Sequence, residues 1–272
     1  MATKPAAVHL SGAELKRGGR TLWKDLDLTV APGEFVAVLG PNGTGKSSLL
    51  QVVLGLLPLT SGSVEVAGRP PRRGSHTAGY IPQHSGFDRD LPVRGRDIVR
   101  LGLDGHKYGL ATPSEADEQA VEAAIQEVGA GGYADSPIGH LSGGEQQRLR
   151  IAQALVASPT ILLCDEPLLS LDMAHQQAIS QLIDARRRNH DTAVLFVTHE
   201  INPILSMVDR ILYIVGGKWA IGTPEEVLTT ERLSELYDAP VDVLNVRGRI
   251  IVIGSDDPAL SEAGGHHHGG AR

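Results

Sequence analysis

Apolar and polar positions alternate over residues 8–15 and again over 21–30, with Arg17-Gly18-Gly19-Arg20 between them. Period-two patterning broken by a glycine turn predicts two strands of a small antiparallel sheet. Pro32-Gly33 then leads into residues 34–39 (Glu-Phe-Val-Ala-Val-Leu), an almost unbroken apolar run that reads as a buried strand, and at residues 47–57 the apolar spacing becomes helical. Residues 62–66 and 78–81 carry short strand signals. Residues 92–139 turn mostly helical, with Ser114 placed to cap a helix over 115–128. From Gly143 the pattern alternates: helix 145–157, strand 160–164, helix 173–189, strand 193–197, helix 200–207, strand 210–215. Strands and helices alternating at these lengths predict an α/β fold with a mostly parallel sheet core, a small antiparallel β subdomain and an inserted helical subdomain. Past Gly217, residues 224–228 and 231–237 read as short helices and 241–246 with 249–253 as a hairpin around Arg247-Gly248.

The organisation expected is a main domain over 1–222, with its helical subdomain at about 84–142, a helix-and-hairpin appendage over 223–254, and a tail over 255–272. The tail is rich in Ser, Asp, Gly, Glu and His, a composition that cannot build a core. At 272 residues and 41% hydrophobic content the chain is large enough to fold by itself. No apolar run approaches the roughly 20 residues that span a bilayer, and residues 1–5 lack a secretory apolar segment, so a soluble cytosolic chain is expected. The single cysteine, Cys164, lies in an apolar run and reads as a buried thiol with no disulfide. A formal charge of −7 argues against a nucleic-acid partner, so any anion must be held locally.

Gly40-Pro41-Asn42-Gly43-Thr44-Gly45-Lys46-Ser47 fills G-x-x-x-x-G-K-[ST] between a strand pattern and a helix pattern, with Ser48 following. Glycines allow the backbone amides to converge on an anion, the helix start adds partial positive charge, Lys46 can reach terminal phosphates and the Ser47 hydroxyl can ligate magnesium. Residues 161–166 form an apolar strand ending in Asp165-Glu166, at the edge where a parallel sheet delivers side chains to a ligand. Asp165 suits a magnesium ion and Glu166 a water attacking the γ-phosphate. Alone, two adjacent acids are a common surface feature; together with the phosphate cradle they read as a hydrolytic pair.

Leu141-Ser142-Gly143-Gly144-Glu145 places a hydroxyl and two glycines ahead of a helix, a second anion-binding helix end. This segment resembles the LSGGQ signature of ATP-binding cassette (ABC) ATPases. In order around it, Gln83 resembles the Q-loop glutamine, Ser170-Leu171-Asp172 the D-loop, and His199 the switch histidine. The resemblance runs from about residue 8 to 222 and rests on six ordered motifs. It implies a P-loop NTPase of ABC type that binds ATP and Mg2+. Glu166, His199, Lys46 and Gln83 would be catalytic; residues 40–48, Ser142, Gly143, Gly144 and Asp172 would bind nucleotide; Ser47, Gln83 and Asp165 would serve the metal. It also implies a head-to-tail pair of copies, each ATP lying between the cradle of one and Ser142-Gly143-Gly144 of the other. Two positions depart from the family pattern. Arg17 stands where an aromatic residue often stacks on adenine, with Trp23 near in sequence, and Glu145 replaces the usual glutamine.

With one cradle and no span, the work falls on a partner, and the resemblance points to an integral-membrane permease at the cytoplasmic face of the membrane. Residues 87–99 after Gln83 resemble those of zinc or manganese importers, in which a solute-binding protein takes part indirectly. Importers of iron-siderophores or cobalamin share much of that pattern and stay open, as do an exporter and a non-transport regulatory protein. His266-His267-His268 in the tail could hold zinc weakly or be an incidental or appended stretch, while His76, His84, His106 and His140 lack ligand spacing.

Overall fold

A computed structural model of the chain describes residues 5–83, 86–104 and 114–254. The chain opens with β1 (Val8–Arg17) and β2 (Arg20–Val30), paired antiparallel around the Gly18-Gly19 turn. It continues through β3 (Phe35–Leu39), α1 (Lys46–Val53) and β4 (Ser61–Val66), which pairs antiparallel with the other edge of β1. The entry sheet therefore has three strands in the order β2-β1-β4.

β5 (Ala78–Ile81) leads into the helical insertion, formed by α2 (Gly95–Asp104), α3 (Glu115–Glu127) and α4 (Gly143–Leu155). Ser114 caps α3 in a reciprocal box with Asp117, satisfying two amides at the helix start. Then follow β6 (Ile161–Asp165), α5 (Met173–His190), β7 (Ala193–Val197), β8 (Arg210–Val215) and β9 (Lys218–Gly222). These strands join β3 and β5 in a six-stranded sheet of order β5-β6-β7-β3-β8-β9, parallel except for β9.

Every residue of β3, β6 and β7 is buried, which explains their unbroken apolar runs: both faces of a parallel sheet are covered. The pleat sends alternate residues to two cores. Val36 and Val38 pack toward the entry sheet and α1 with Trp23, Leu49 and Leu50, whereas Phe35, Ala37 and Leu39 face the side holding Val99, Ile125 and Leu149 of the insertion. Because β5, β6, β7 and β3 run parallel, Ile81, Asp165, Val197 and Leu39 end at one edge of the sheet, and the segments that follow them meet there.

One expectation fails and one strand was not foreseen. The helix expected over 200–207 is absent; only a short 3-10 turn at Leu205–Met207 forms. Pro203 lacks an amide donor and disfavours helical dihedrals at Asn202, while Thr198 Oγ1 accepts from Glu200 N (3.1 Å) and donates to Glu200 O (3.0 Å), closing a local turn instead. β9 was not legible as a strand, since the Gly216-Gly217 turn before it obscures a hairpin with β8.

The remainder comprises α6 (Pro224–Val227), α7 (Thr230–Tyr237) and the hairpin β10 (Val241–Val246) and β11 (Arg249–Gly254). Leu233 is fully buried and the Tyr213 and Tyr237 hydroxyls are hydrogen-bonded at 2.9 Å, so α7 is seated on the parallel sheet through β8. The tail expected over 255–272, with His266, His267 and His268, lies outside the described residues, as do His84 and His106.

Candidate nucleotide site

The segment after β3 turns through Gly40, Gly43 and Gly45, all at positive φ, before α1 begins. Gly45 is the N-cap of α1 and supplies no side-chain cap, which leaves the amides of the first turn open toward solvent or an anion. Lys46 is folded back over the loop, its Nζ donating to the carbonyl oxygens of Gly40 (2.7 Å) and Pro41 (2.9 Å). Thr44 Oγ1 donates to Pro41 O at 3.0 Å and closes the turn. Burial holds the Lys46 ammonium below its ordinary pKa, opposed by the charges of Glu166 and Asp165.

β6 delivers the two acids to the same edge. Asp165 is buried, and its carboxylate accepts from Ser47 Oγ on α1 (2.8 Å) and from the Tyr80 hydroxyl on β5 (3.3 Å). Burial raises the pKa of Asp165, and these two hydrogen bonds oppose the shift. Burial and the adjacent carboxylate push the Tyr80 phenol up to about 12, so it stays a donor at neutral pH. Glu166 turns out of the strand at φ +47, unusual for a residue with a side chain, and its amide donates to Val197 O (2.9 Å). Its Oε2 meets His199 Nδ1 at 3.2 Å.

A cavity of about 800 Å³ opens over this edge, lined by residues 40–43 and 45–48 of the loop and α1 together with Gln83, Glu166 and His199, while Thr44 and Asp165 lie behind its wall. Arg17 and Leu22 from the β1–β2 hairpin form one wall. Arg17 is thus beside the cavity, but Trp23 is not: it is fully buried beneath the loop, its Nε1 3.5 Å from Gly45 O. Alternation along β2 turns Trp23 inward while its neighbour Leu22 faces the cavity.

Ser142, Gly143, Gly144 and Asp172 do not line this cavity. Ser142 caps α4, its amide and hydroxyl both donating to Glu145 Oε2 at 2.8 Å, so the position where a glutamine is usual serves a capping box. Asp172 caps α5 and holds His175 Nδ1 at 2.8 Å, and the His175 ring lies over Gly144, where an added Cβ would come within 2.4 Å of it. Gln147, fully buried, donates to Pro167 O (2.9 Å) and ties α4 to the loop after Glu166.

Sequence reading missed Tyr80, Leu22, Gln147 and His175. Tyr80 could have been found only by knowing that β5 neighbours β6; the other three are set by tertiary contact. Cys164 is buried as expected, with its thiol pKa raised by burial. Among the described residues no group of three or more His, Cys, Asp or Glu side chains could hold a metal by itself, and no helix is long and apolar enough to cross a membrane.

Fold and site together define a P-loop nucleotide-binding protein: a glycine loop at the start of a helix, a lysine over it, and a serine–aspartate pair at the edge of a parallel sheet. The family profile described as ABC transporter matches residues 23–169, and the chain belongs to this family as an ATP-binding domain, an ATPase class. The chain is 37% identical over 216 residues to the zinc transport system ATP-binding protein TroB of Treponema pallidum, covering 79% of this chain and 80% of that protein. It is 34% identical over 230 residues to the manganese transport system ATP-binding protein MntB of Bacillus subtilis, covering 85% and 92%. Among solved structures it resembles a chain of a transporter described as metal-chelate type, in an inward-facing conformation, with TM-score 0.77, 25% identity and coverage of 91% and 96%. It shares the fold of cbiO1 from Clostridium perfringens, part of the ABC transporter complex cbiONQ, with TM-score 0.72, 24% identity and coverage of 85% and 94%.

Proposed function

We propose that the chain is the ATP-hydrolysing subunit of a membrane importer for a divalent metal ion, zinc or manganese. The relatives named for zinc and manganese transport support the cargo. The observation that carries the hydrolytic role is the juxtaposition, in one cavity, of the glycine loop and Lys46 with the Glu166–His199 pair. In this reading the amides after Gly45, with Gly43, Thr44 and Asn42, hold the phosphates, Lys46 leaves the loop carbonyls for their negative charge, and Arg17 lies against the adenine. The donors available to Mg2+ are hard oxygens, Ser47 Oγ and the Asp165 carboxylate with Gln83 nearby, which fits that ion; it would neutralise charge on the β- and γ-phosphates. Glu166 orients and deprotonates the attacking water, and His199, paired with it, faces the γ-phosphate.

Ser142 and Gly143 are exposed at the start of α4 and stand outside the chain's own cavity, which supports their closing over the nucleotide of a second, head-to-tail copy, with Asp172 at the seam. The chain would then act peripherally, at the cytoplasmic face of a membrane, on a permease fed by a solute-binding protein. Likeness to a metal-chelate-type transporter favours a second cargo, a chelated metal such as an iron-siderophore.

Glu166→Gln keeps the side chain's shape and removes the base. Steady-state ATPase activity is expected to fall at least about a hundredfold while ATP binding persists and a nucleotide-bound dimer accumulates in size-exclusion chromatography. Hydrolysis at the wild-type rate would sink the assignment. Metal uptake by vesicles holding the reconstituted transporter separates free zinc or manganese from a chelate.

A further inference from the structure

His199 sits on a loop with no regular backbone ladder. After β7 the chain passes through the Thr198–Glu200 turn, buries Ile201 and Ile204, and meets Pro203, which blocks a helix. The buried isoleucines hold the loop by non-directional contact. Its own hydrogen bonds are local, the Thr198–Glu200 turn, Ile204 N to Ile201 O (3.0 Å) and Met207 N to Ile204 O (2.8 Å), and a long-range directional hold comes from elsewhere in the chain: Asn202 Nδ2 donates to Ile250 O (3.0 Å), and Ile250 N donates to Asn202 Oδ1 (2.8 Å). One side-chain amide thus satisfies both polar groups of one β11 residue, as a neighbouring strand would.

The hairpin that carries Ile250 is itself anchored on the opposite edge. Val241 N donates to Ser234 Oγ (3.0 Å) and Val243 N to Thr230 Oγ1 (3.0 Å), both on α7. A two-stranded ribbon is only marginally stable alone, so its geometry is set by these two anchorages. One lies on α7, which is seated on the parallel sheet; the other is the loop three residues beyond His199. The appendage therefore bridges the sheet and that loop.

We propose that Asn202 is a positioning residue for His199, and that the C-terminal hairpin, through the Asn202–Ile250 pair, fixes the loop that presents His199 to Glu166. The inference rests on the reading that His199 serves the hydrolytic step. It gives the appendage a part in catalysis, since displacing the hairpin moves Asn202 and with it the loop.

The test uses the full chain with Asn202→Ala, Asn202→Asp and, as a control, Ser234→Ala. Ser234→Ala removes the hydrogen bonds to Val241 while Thr230 still holds Val243 on the same edge, so the hairpin stays seated and the Asn202–Ile250 pair is left intact. With MgATP, Asn202→Ala is expected to lower kcat about five- to fiftyfold, with KM for ATP within about twofold of wild type. Asn202→Asp, which can still accept from Ile250 N but no longer donates to Ile250 O, is expected to lie between the two. Ser234→Ala is expected to keep kcat within about twofold of wild type. In long-range 1H–15N spectra of the nucleotide-free chain, the His199 ring nitrogens should shift in Asn202→Ala and stay in place in Ser234→Ala. Unchanged kcat in Asn202→Ala, or an equal loss in Ser234→Ala, overturns the proposal, because the pair would then only stabilise the appendage. A wild-type chain without ATPase activity would refute the functional reading instead, and the His199 resonances would then decide alone: unmoved in Asn202→Ala, they overturn the positioning role.

Discussion

Gly40 and Gly43 belong to one loop and both take positive φ, yet replacing each with alanine should have very different outcomes. At Gly43 (φ +77) an added Cβ meets nothing within 4 Å. Its cost is the left-handed backbone alone, about 1 kcal/mol, offset in part by the lower entropy of the unfolded chain. At Gly40 (φ +135) the Cβ would lie 1.9 Å from the backbone oxygen of Ile214. That oxygen belongs to β8, which is paired with β3 in the buried sheet, so relief requires prising two core strands apart by roughly 1 Å or more. Backbone strain and overpacking together put the loss at about 4 kcal/mol or more, a large share of the roughly 5–15 kcal/mol that holds a domain together. For a chain of this size each kcal/mol shifts Tm by about 2–4 °C. Thermal unfolding followed by circular dichroism should therefore show Gly43→Ala within about 4 °C of wild type, and Gly40→Ala about 10 °C or more below it or insoluble. Equal shifts in the two variants would refute the steric reasoning.

Two further outcomes follow from the charges around the cavity. Burial raises the folded pKa of Asp165 above its unfolded value, so the folded chain binds that proton more readily and the ionised carboxylate costs stability at neutral pH. Asp165→Asn should stabilise the nucleotide- and magnesium-free chain at pH 7, with the gain shrinking as pH falls through the raised folded pKa and gone below the ordinary aspartate value of about 3.9, and the same variant should lose ATPase activity; urea titrations across pH check the first part, and a gain that grows toward acid would contradict it. Arg17→Ala should raise KM for ATP about two- to fivefold and leave kcat nearly unchanged, because a stacked guanidinium contributes about 0.5–1 kcal/mol of binding shared by ground and transition states; a fall in kcat alone would remove Arg17 from the adenine wall.

Local sequence determined the chemistry-bearing segments. The glycine loop, the acids at the end of β6 and the Ser142 cap are fixed by neighbours within a few residues: a turn needing positive φ, a strand edge, a helix start. Hence these motifs, and the family they mark, are legible in the sequence alone. Period alone failed where a local turn or a proline competed, as at 200–207, and where a hairpin followed a double glycine, as at β9. The sequence placed Arg17 at the adenine position with Trp23 only near it in sequence; strand alternation in the folded sheet removes Trp23 by burying it, while Arg17 lines the cavity.

What only the tertiary structure decided is which distant segments share an edge. Strand order brings Tyr80 to Asp165 across 85 positions and His199 to Glu166 across 33, and no periodicity encodes such pairings. The same holds for Asn202 and Ile250, 48 positions apart, whose pairing depends on a hairpin held in place by α7. Short-range dihedral and hydrogen-bonding preferences write the motifs into the chain, whereas their convergence is set by the packing of both sheet faces, which only the whole fold supplies.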